Sequence, residues 1–213
     1  MKKALLATVV AFLVSSVSYA DELRLEAGAS AKVGENTLTV EEQVRHDLSI
    51  SEDMVTKAAP YEHTVFAIGR KLNDNNAVQF RVRNTNTNGT SENRLSLDLN
   101  SGVSLPYGIG IENRLRLQLD ETADITAVTA DDMRLREQIS VTRNVALPFV
   151  SLDLAVGDEI HLNSDGQITE NRIIASASTE VCDGLTARAE YFRQQMTESD
   201  DANVVTVSAT LRF

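Results

Sequence analysis

From about residue 36 to its last residue the chain alternates between apolar and polar side chains with a period of two. That period places the two sets on opposite faces of an extended strand. The end is the clearest case, with Val205, Val207, Ala209, Leu211 and Phe213 on one face and Thr206, Ser208, Thr210 and Arg212 on the other. Further back, Leu185, Ala187, Ala189 and Tyr191 oppose Thr186, Arg188 and Glu190, and Ile173, Ala175 and Ala177 oppose Arg172, Ser176 and Ser178. Val150, Leu152, Leu154 and Val156 oppose Ser151, Asp153 and Gly157. The same rhythm runs through Leu135, Ile139 and Val141, through Ile109 to Leu119, through Leu95, Leu97 and Leu99, and through Val78, Phe80 and Val82. Two stretches are less regular. Val65 to Ile68 are contiguous apolar residues, which leaves their facing open, and Glu42 interrupts the apolar face of 36–47 as Glu137 does in its own strand. A carboxylate on a lipid-facing surface is costly near the midplane, so these two imply a position near an interface or a slip of register.

The connections alternate in length. Short ones fall at Leu72–Asn75, Ser101–Pro106, Asn144–Pro148 and Val181–Gly184, and longer polar ones at 48–59, 85–91, 121–131, 159–167 and 197–202. Outer-membrane barrels have short periplasmic turns and longer outer loops, and an even number of strands; the count here is about ten. Tyr61, Tyr107, Phe149, Tyr191, Phe192 and Phe213 cluster near strand ends like an aromatic girdle.

The first residues change the picture further. Met1-Lys2-Lys3, an apolar run from Ala4 to Val14 and the exit Ser18-Tyr19-Ala20 read as a signal-peptide helix cleaved after Ala20. The apolar run is too short to span a bilayer as a helix, which takes ~20 residues. The expected organisation is a signal peptide over 1–20, a short N-terminal segment over 21–35 (a partner strand being the alternative), and a barrel over 36–213. The predicted fold is all-β: an antiparallel, up-and-down transmembrane β-barrel in the outer membrane. The competing fold is a soluble β-sandwich or periplasmic barrel. Against it stands the polar face, which carries Arg and no Lys in these strands; Arg suits confined, carboxylate-paired positions.

The formal net charge of −11 argues against nucleic acid and anionic headgroups as partners. Cys182 is the one cysteine, which rules out an intramolecular disulfide, and its neighbours Asp183-Gly184 make it a turn residue.

Four stretches carry a resemblance: Glu112-Asn113-Arg114-Leu115-Arg116-Leu117, Glu170-Asn171-Arg172-Ile173, Leu185-Thr186-Ala187-Arg188-Ala189-Glu190-Tyr191, and the final strand Val204–Phe213. With them the chain resembles, over roughly residues 36–213, the uncharacterised outer-membrane barrel family known as domain of unknown function 2490. The resemblance implies a barrel and outer-membrane lipid around it, and no activity. The chain is also similar, more weakly, to the small acidic-oligosaccharide porins, which line a narrow barrel with Arg. The terminal Phe213 resembles the aromatic residue by which the barrel-assembly machinery recognises such chains.

The chemistry sits on the polar face. The candidate lumen-lining residues are Arg81, Arg83, Arg94, Asp98, Glu112, Arg114, Arg116, Arg134, Arg136, Asp153, Arg172, Arg188, Glu190 and Arg212. In one reading these Arg pair with Glu41, Glu112, Asp98, Asp153 and Glu190 and fill the barrel as a polar core, since eight strands leave just room for side chains. In another, Arg81, Arg83, Arg114, Arg116, Arg134 and Arg136 form a relay of weak sites in a small anion-selective porin. A third is a hydrolase at the outer rim around His161, oriented by Glu159 with Ser164 or Ser91. The non-enzymatic barrel is the primary expectation. His46 and His63 are too few for a metal centre. Asp120, Glu121, Asp124, Asp131 and Asp132 read as a solvated acidic loop, and no phosphate, dinucleotide or redox motif implies a cofactor.

Overall fold

The computed structural model describes residues 21–47, 61–87, 90–121, 133–148, 150–197 and 200–213. Among them eleven strands follow one another: β1 Glu22–Val33, β2 Asn36–Asp47, β3 Tyr61–Lys71, β4 Asn76–Thr87, β5 Thr90–Leu105, β6 Ile109–Glu121, β7 Met133–Leu147, β8 Val150–Leu162, β9 Ile168–Cys182, β10 Leu185–Met196 and β11 Ala202–Arg212. Each pairs with the next as an antiparallel hairpin, and β1 pairs with both β2 and β11, which closes the barrel. Residues 22–33, left outside the barrel by the pattern, are therefore its closing strand, and the count is eleven where the pattern gives about ten.

An odd number of hairpin-linked strands leaves the first and last running the same way, so the seam must be parallel. It runs from Glu22↔Val204 to Ser30↔Arg212. The start of β1 and the end of β11 consequently sit at opposite ends of the barrel. Asp21 N donates to Asn203 O at 2.8 Å at the end with the longer connections, and Phe213 N donates to Ser30 O at 2.9 Å at the end with the short turns. The expected loop over 85–91 is shorter than its polarity suggests, because β4 runs to Thr87 and β5 begins at Thr90. The leader expected over 1–20, Phe149 and the acidic residues Asp124, Asp131 and Asp132 lie outside the described residues.

The register resolves the facing of every strand. In β3, Val65 and Ala67 are buried inside while Phe66 and Ile68 are exposed outside, so the contiguous apolar run serves both faces. The register does not slip at Glu42 or Glu137. Both point outward, and each accepts a hydrogen bond on that face: from Thr64 Oγ1 at 3.0 Å to Glu42, and from Asn113 Nδ2 at 3.0 Å to Glu137. Asn113, Asp158, Arg143 and Asn171 share that outward face, and large aliphatic residues make up most of its middle. Leu38, Ile68, Phe80, Leu97, Leu117, Leu135 and Leu162 are successive cross-strand neighbours, a row that crosses β2 to β8 without a polar residue.

Glycine is required where backbones crowd. A Cβ on Gly157 in β8 meets Ile139 O at 2.7 Å and Ser140 Cβ at 2.9 Å, whereas one on Gly69 in β3 meets nothing nearer than 3.5 Å. Gly157→Ala is expected to destabilise the barrel by about 1–3 kcal/mol through overpacking. Gly69→Ala is expected to be neutral or slightly stabilising, and urea unfolding of the two variants side by side checks the difference.

Candidate functional site

The inward face is formed by the alternate residues that the pairing sets beside one another, and its middle is crossed by ion pairs. Arg116 on β6 stands across from Asp98 on β5, and their side chains join bidentately, Nε and Nη2 donating to the two carboxylate oxygens at 2.6 Å each. Both residues are buried. Arg81 on β4 donates to Glu41 on β2 at 2.6 Å, reaching past β3, and stands 3.9 Å from Asp98. A bond that skips a strand is possible only across the concave interior of the barrel.

Glu159 on β8 is the hub of a second group. It is 1% exposed. Its carboxylate accepts from Arg114 on β6 at 2.6 Å, Arg136 on β7 at 2.6 Å, His161 Nε2 at 2.8 Å and Arg172 on β9 at 3.4 Å. His161 Nδ1 stands 3.1 Å from Glu170, which also pairs with Arg172. Arg24 and Arg172 lie over the ring of Phe192 at 5.0 Å and 4.9 Å from its centroid. That stacking is a cation–π arrangement on a buried ring, flanked by Ile174 and Val204. The girdle expected of the aromatics thus loses Phe192, which points inward because it pairs with Ile174 and Val204 while Tyr191 takes the outer face.

This middle layer is densely paired. Charged groups in a low-dielectric interior are tolerated when their hydrogen-bonding capacity is met. It is met here except at Arg136 Nε, which is buried with no partner among the described residues. Towards the short turns the side chains become small. A cavity of about 990 Å³ opens there, walled by Gly69, Gly102, Gly110, Ser140, Thr142 and Ser176 and ending against Arg114 and Ile174. The interior therefore has two parts: a filled layer of long charged side chains, and a polar vestibule lined by short ones.

The sequence-derived residues divide accordingly. Arg81, Asp98, Arg114, Arg116, Arg136 and Arg172 meet in the paired layer. Arg83 and Arg94 are cross-strand neighbours on the same face, and Arg134 follows it towards the longer connections. Arg188 and Glu190 pair with each other at a more exposed level. Asp153 takes its hydrogen bond from Asn144 at 2.7 Å instead of from an Arg, because Asn144 is its cross-strand partner. Glu112 and Arg212 form no ion pair with a described residue, and Phe213 is exposed. Of the carboxylates that organise the second group, Glu159 entered the sequence-derived candidates only as the partner of His161, and Glu170 was not among the lumen-lining residues. The signal for the inward position of Glu159 was the continued alternation Asp153, Ala155, Gly157, Glu159, His161, which carries β8 into the stretch that its acidity marks as a loop.

The rim arrangement around His161 has a different geometry from the one its sequence suggests. His161 is buried, and both ring nitrogens face carboxylates. Neither is left to accept a proton from a serine. Ser91 bonds Asn84 on the outward face, and Ser164 lies exposed in the β8–β9 turn. His63 is buried and bonded through Nδ1 to Thr85 Oγ1 at 2.7 Å, and the side chain of His46 lies outside the described residues. No group of metal-binding side chains occurs among the described residues.

Compared with known proteins, the chain matches the family model described as protein of unknown function DUF2490 over residues 19–205. No curated protein and no solved structure matches it.

Proposed function

Since the chain belongs to the DUF2490 family of proteins of unknown function, which supplies no chemistry, we propose its role from the barrel itself: a non-enzymatic outer-membrane protein whose lumen is closed by an ion-pair plug. One observation carries this reading. The barrel is polar inside and largely apolar across the middle of its outer face, with Asp98, Arg116 and Glu159 buried while Leu97, Phe80, Ile68, Phe66 and Leu38 are more than two-fifths exposed. Water is a poor solvent for that surface and hydrocarbon a good one. A closed barrel leaves no unpaired strand edge, which is the condition for non-helical backbone in lipid. The strands, 11 to 16 residues long, meet or exceed the 9–11 or so that a tilted strand needs to cross. Phe213, exposed on the outer face at the short-turn end, is available to the assembly machinery.

Carbonate extraction and heat-modifiable gel mobility of the full chain expressed in a Gram-negative host test this. The reading expects the chain in the outer-membrane fraction, resistant to carbonate, with a folded band that shifts on boiling. Release as a soluble periplasmic protein contradicts it.

A second reading, a small anion-selective porin, is favoured by the vestibule, which already opens one end of the lumen. It requires the plug to part. The rim-hydrolase reading draws no support from a histidine whose two nitrogens are both engaged by carboxylates.

A further inference from the structure

The vestibule ends against a positive charge and carries a negative one on the same wall. The ion pairs of the second group set three guanidiniums, Arg114, Arg136 and Arg172, against two carboxylates, Glu159 and Glu170. Of the three, Arg114 faces the vestibule. It lines the cavity, and its side chain is 31% exposed against 11% for Arg136 and 15% for Arg172. Its bond to a described residue is the one from Nη2 to Glu159, so further N–H groups of the fork are turned to the cavity. Its cross-strand neighbours Asn100 and Gln138 line the cavity on either side of it and bring side-chain amides. Two residues along β6 towards the short turns, on the same face, stands Glu112. Such residues are about 6.5–7 Å apart along a strand. Glu112 also lines the cavity, is exposed to it, and leans over Gly102, where an added Cβ would meet its Cγ at 3.7 Å. The other charges of this wall are engaged nearer the mouth: Arg188 with Glu190, Lys71 with Asp74, Arg70 with Glu35, and Asp153 with Asn144.

We propose that Arg114 and Glu112 form a binding site at the inner end of the vestibule for a small zwitterion, a molecule that carries a carboxylate and an ammonium group a few bonds apart. The ligand's carboxylate accepts from the guanidinium N–H groups that Glu159 leaves, and its ammonium donates to Glu112. Both are charge-assisted hydrogen bonds, the stronger kind. The amides of Asn100 and Gln138 serve the remaining polar atoms. The pair of charges also sets what is rejected. A dianion meets Glu112, a diamine meets Arg114, and a ligand with one charge leaves one of the two without a partner. No aromatic side chain is among the described residues that line the cavity, so a flat ring finds no stacking surface. At about 990 Å³ the cavity is at the upper end of the range of small-molecule sites. The inference requires the closed barrel and is independent of whether that barrel lies in a membrane.

The test is calorimetric titration of the full chain in detergent micelles with β-alanine at neutral pH, with propionate and propylamine as ligands that each keep one of its charges. Saturable binding of one equivalent of β-alanine is expected, at least ten-fold tighter than either. Changing Arg114 also removes a bond to Glu159, so the Glu112 variants carry the test. Glu112 is exposed, and its replacement is expected to leave folding intact. Glu112→Gln is expected to weaken β-alanine binding at least ten-fold. Glu112→Lys is expected to abolish it and to bind succinate, which the parent does not. Arg193→Gln, whose residue pairs with Asp201 near the longer connections, is expected to leave β-alanine binding unchanged. No saturable binding by the parent, equal binding of propionate, or β-alanine binding that survives Glu112→Lys overturns the proposal. A water-soluble barrel that binds β-alanine through Glu112 keeps this inference and sinks the membrane reading; an outer-membrane barrel that does not bind does the reverse.

Discussion

Glu159→Gln is expected to destabilise the barrel by about 3–5 kcal/mol, the largest effect of any single polar substitution in the interior. The reason is the number of groups that depend on one carboxylate. Arg114, Arg136, Arg172 and His161 all bond to it. Removing its charge takes the carboxylate partner from Arg114 and Arg136 and leaves Arg172 with Glu170 alone, while the cost of holding the guanidiniums out of water stays. Arg136 is the most sensitive, since its Nε is already unpartnered. Glu190→Gln gives the contrast. Its partner Arg188 is about half exposed, and exposed pairs contribute 1 kcal/mol or so at most. Urea unfolding of both variants in micelles, followed by far-ultraviolet circular dichroism, measures the difference. Equal, small losses for the two would mean that the plug does not hold the barrel together. Glu159→Gln and Arg136→Gln are also expected to be strongly non-additive when combined, because each removes the other's partner.

Leu97→Arg is the second large effect, expected to cost about 2–4 kcal/mol if the outer surface faces lipid at midplane depth. Leu97 is flanked by Phe80 and Leu117 on neighbouring strands, within the unbroken apolar row. It is already 42% exposed. In water the same change is close to neutral, as surface substitutions are. The substitution therefore reads the solvent on the outside of the barrel directly. A stable, water-soluble Leu97→Arg variant would locate the protein outside the membrane.

How far the sequence carried this account depends on which residues are considered. The alternation of β4 to β8 and of β11 was legible because large aliphatics mark the outer face and Arg the inner one. β1 was harder. Its outer residues Leu23, Leu25, Ala27, Ala29 and Ala31 alternate with Arg24, Glu26, Gly28, Ser30 and Lys32, but alanines give a weak contrast and Gly28 argues against a strand interior. The β8 terminus was obscured by Asp158-Glu159, a pair that reads as loop. In the fold Asp158 turns outward and Glu159 inward, where it meets the guanidiniums. The alternation that sets Tyr191 on the outer face already sets Phe192 on the inner one, and counting both toward the girdle overlooked it. Partner choice among the charges was not legible at all. The Arg114–Glu159 bond joins strands two apart, and the Arg81–Glu41 bond does the same. Such contacts depend on barrel curvature and cross-strand register, which no local pattern encodes.

The central claim is a closed lumen inside a membrane barrel, and single-channel current across a planar bilayer holding the refolded chain tests it most directly. Filled by the ion pairs of Asp98, Arg116, Arg136 and Glu159, the barrel is predicted to insert and yet show no resolvable conductance steps. Reproducible, anion-biased steps from the parent chain would contradict the plug and make the Arg-lined interior a pore.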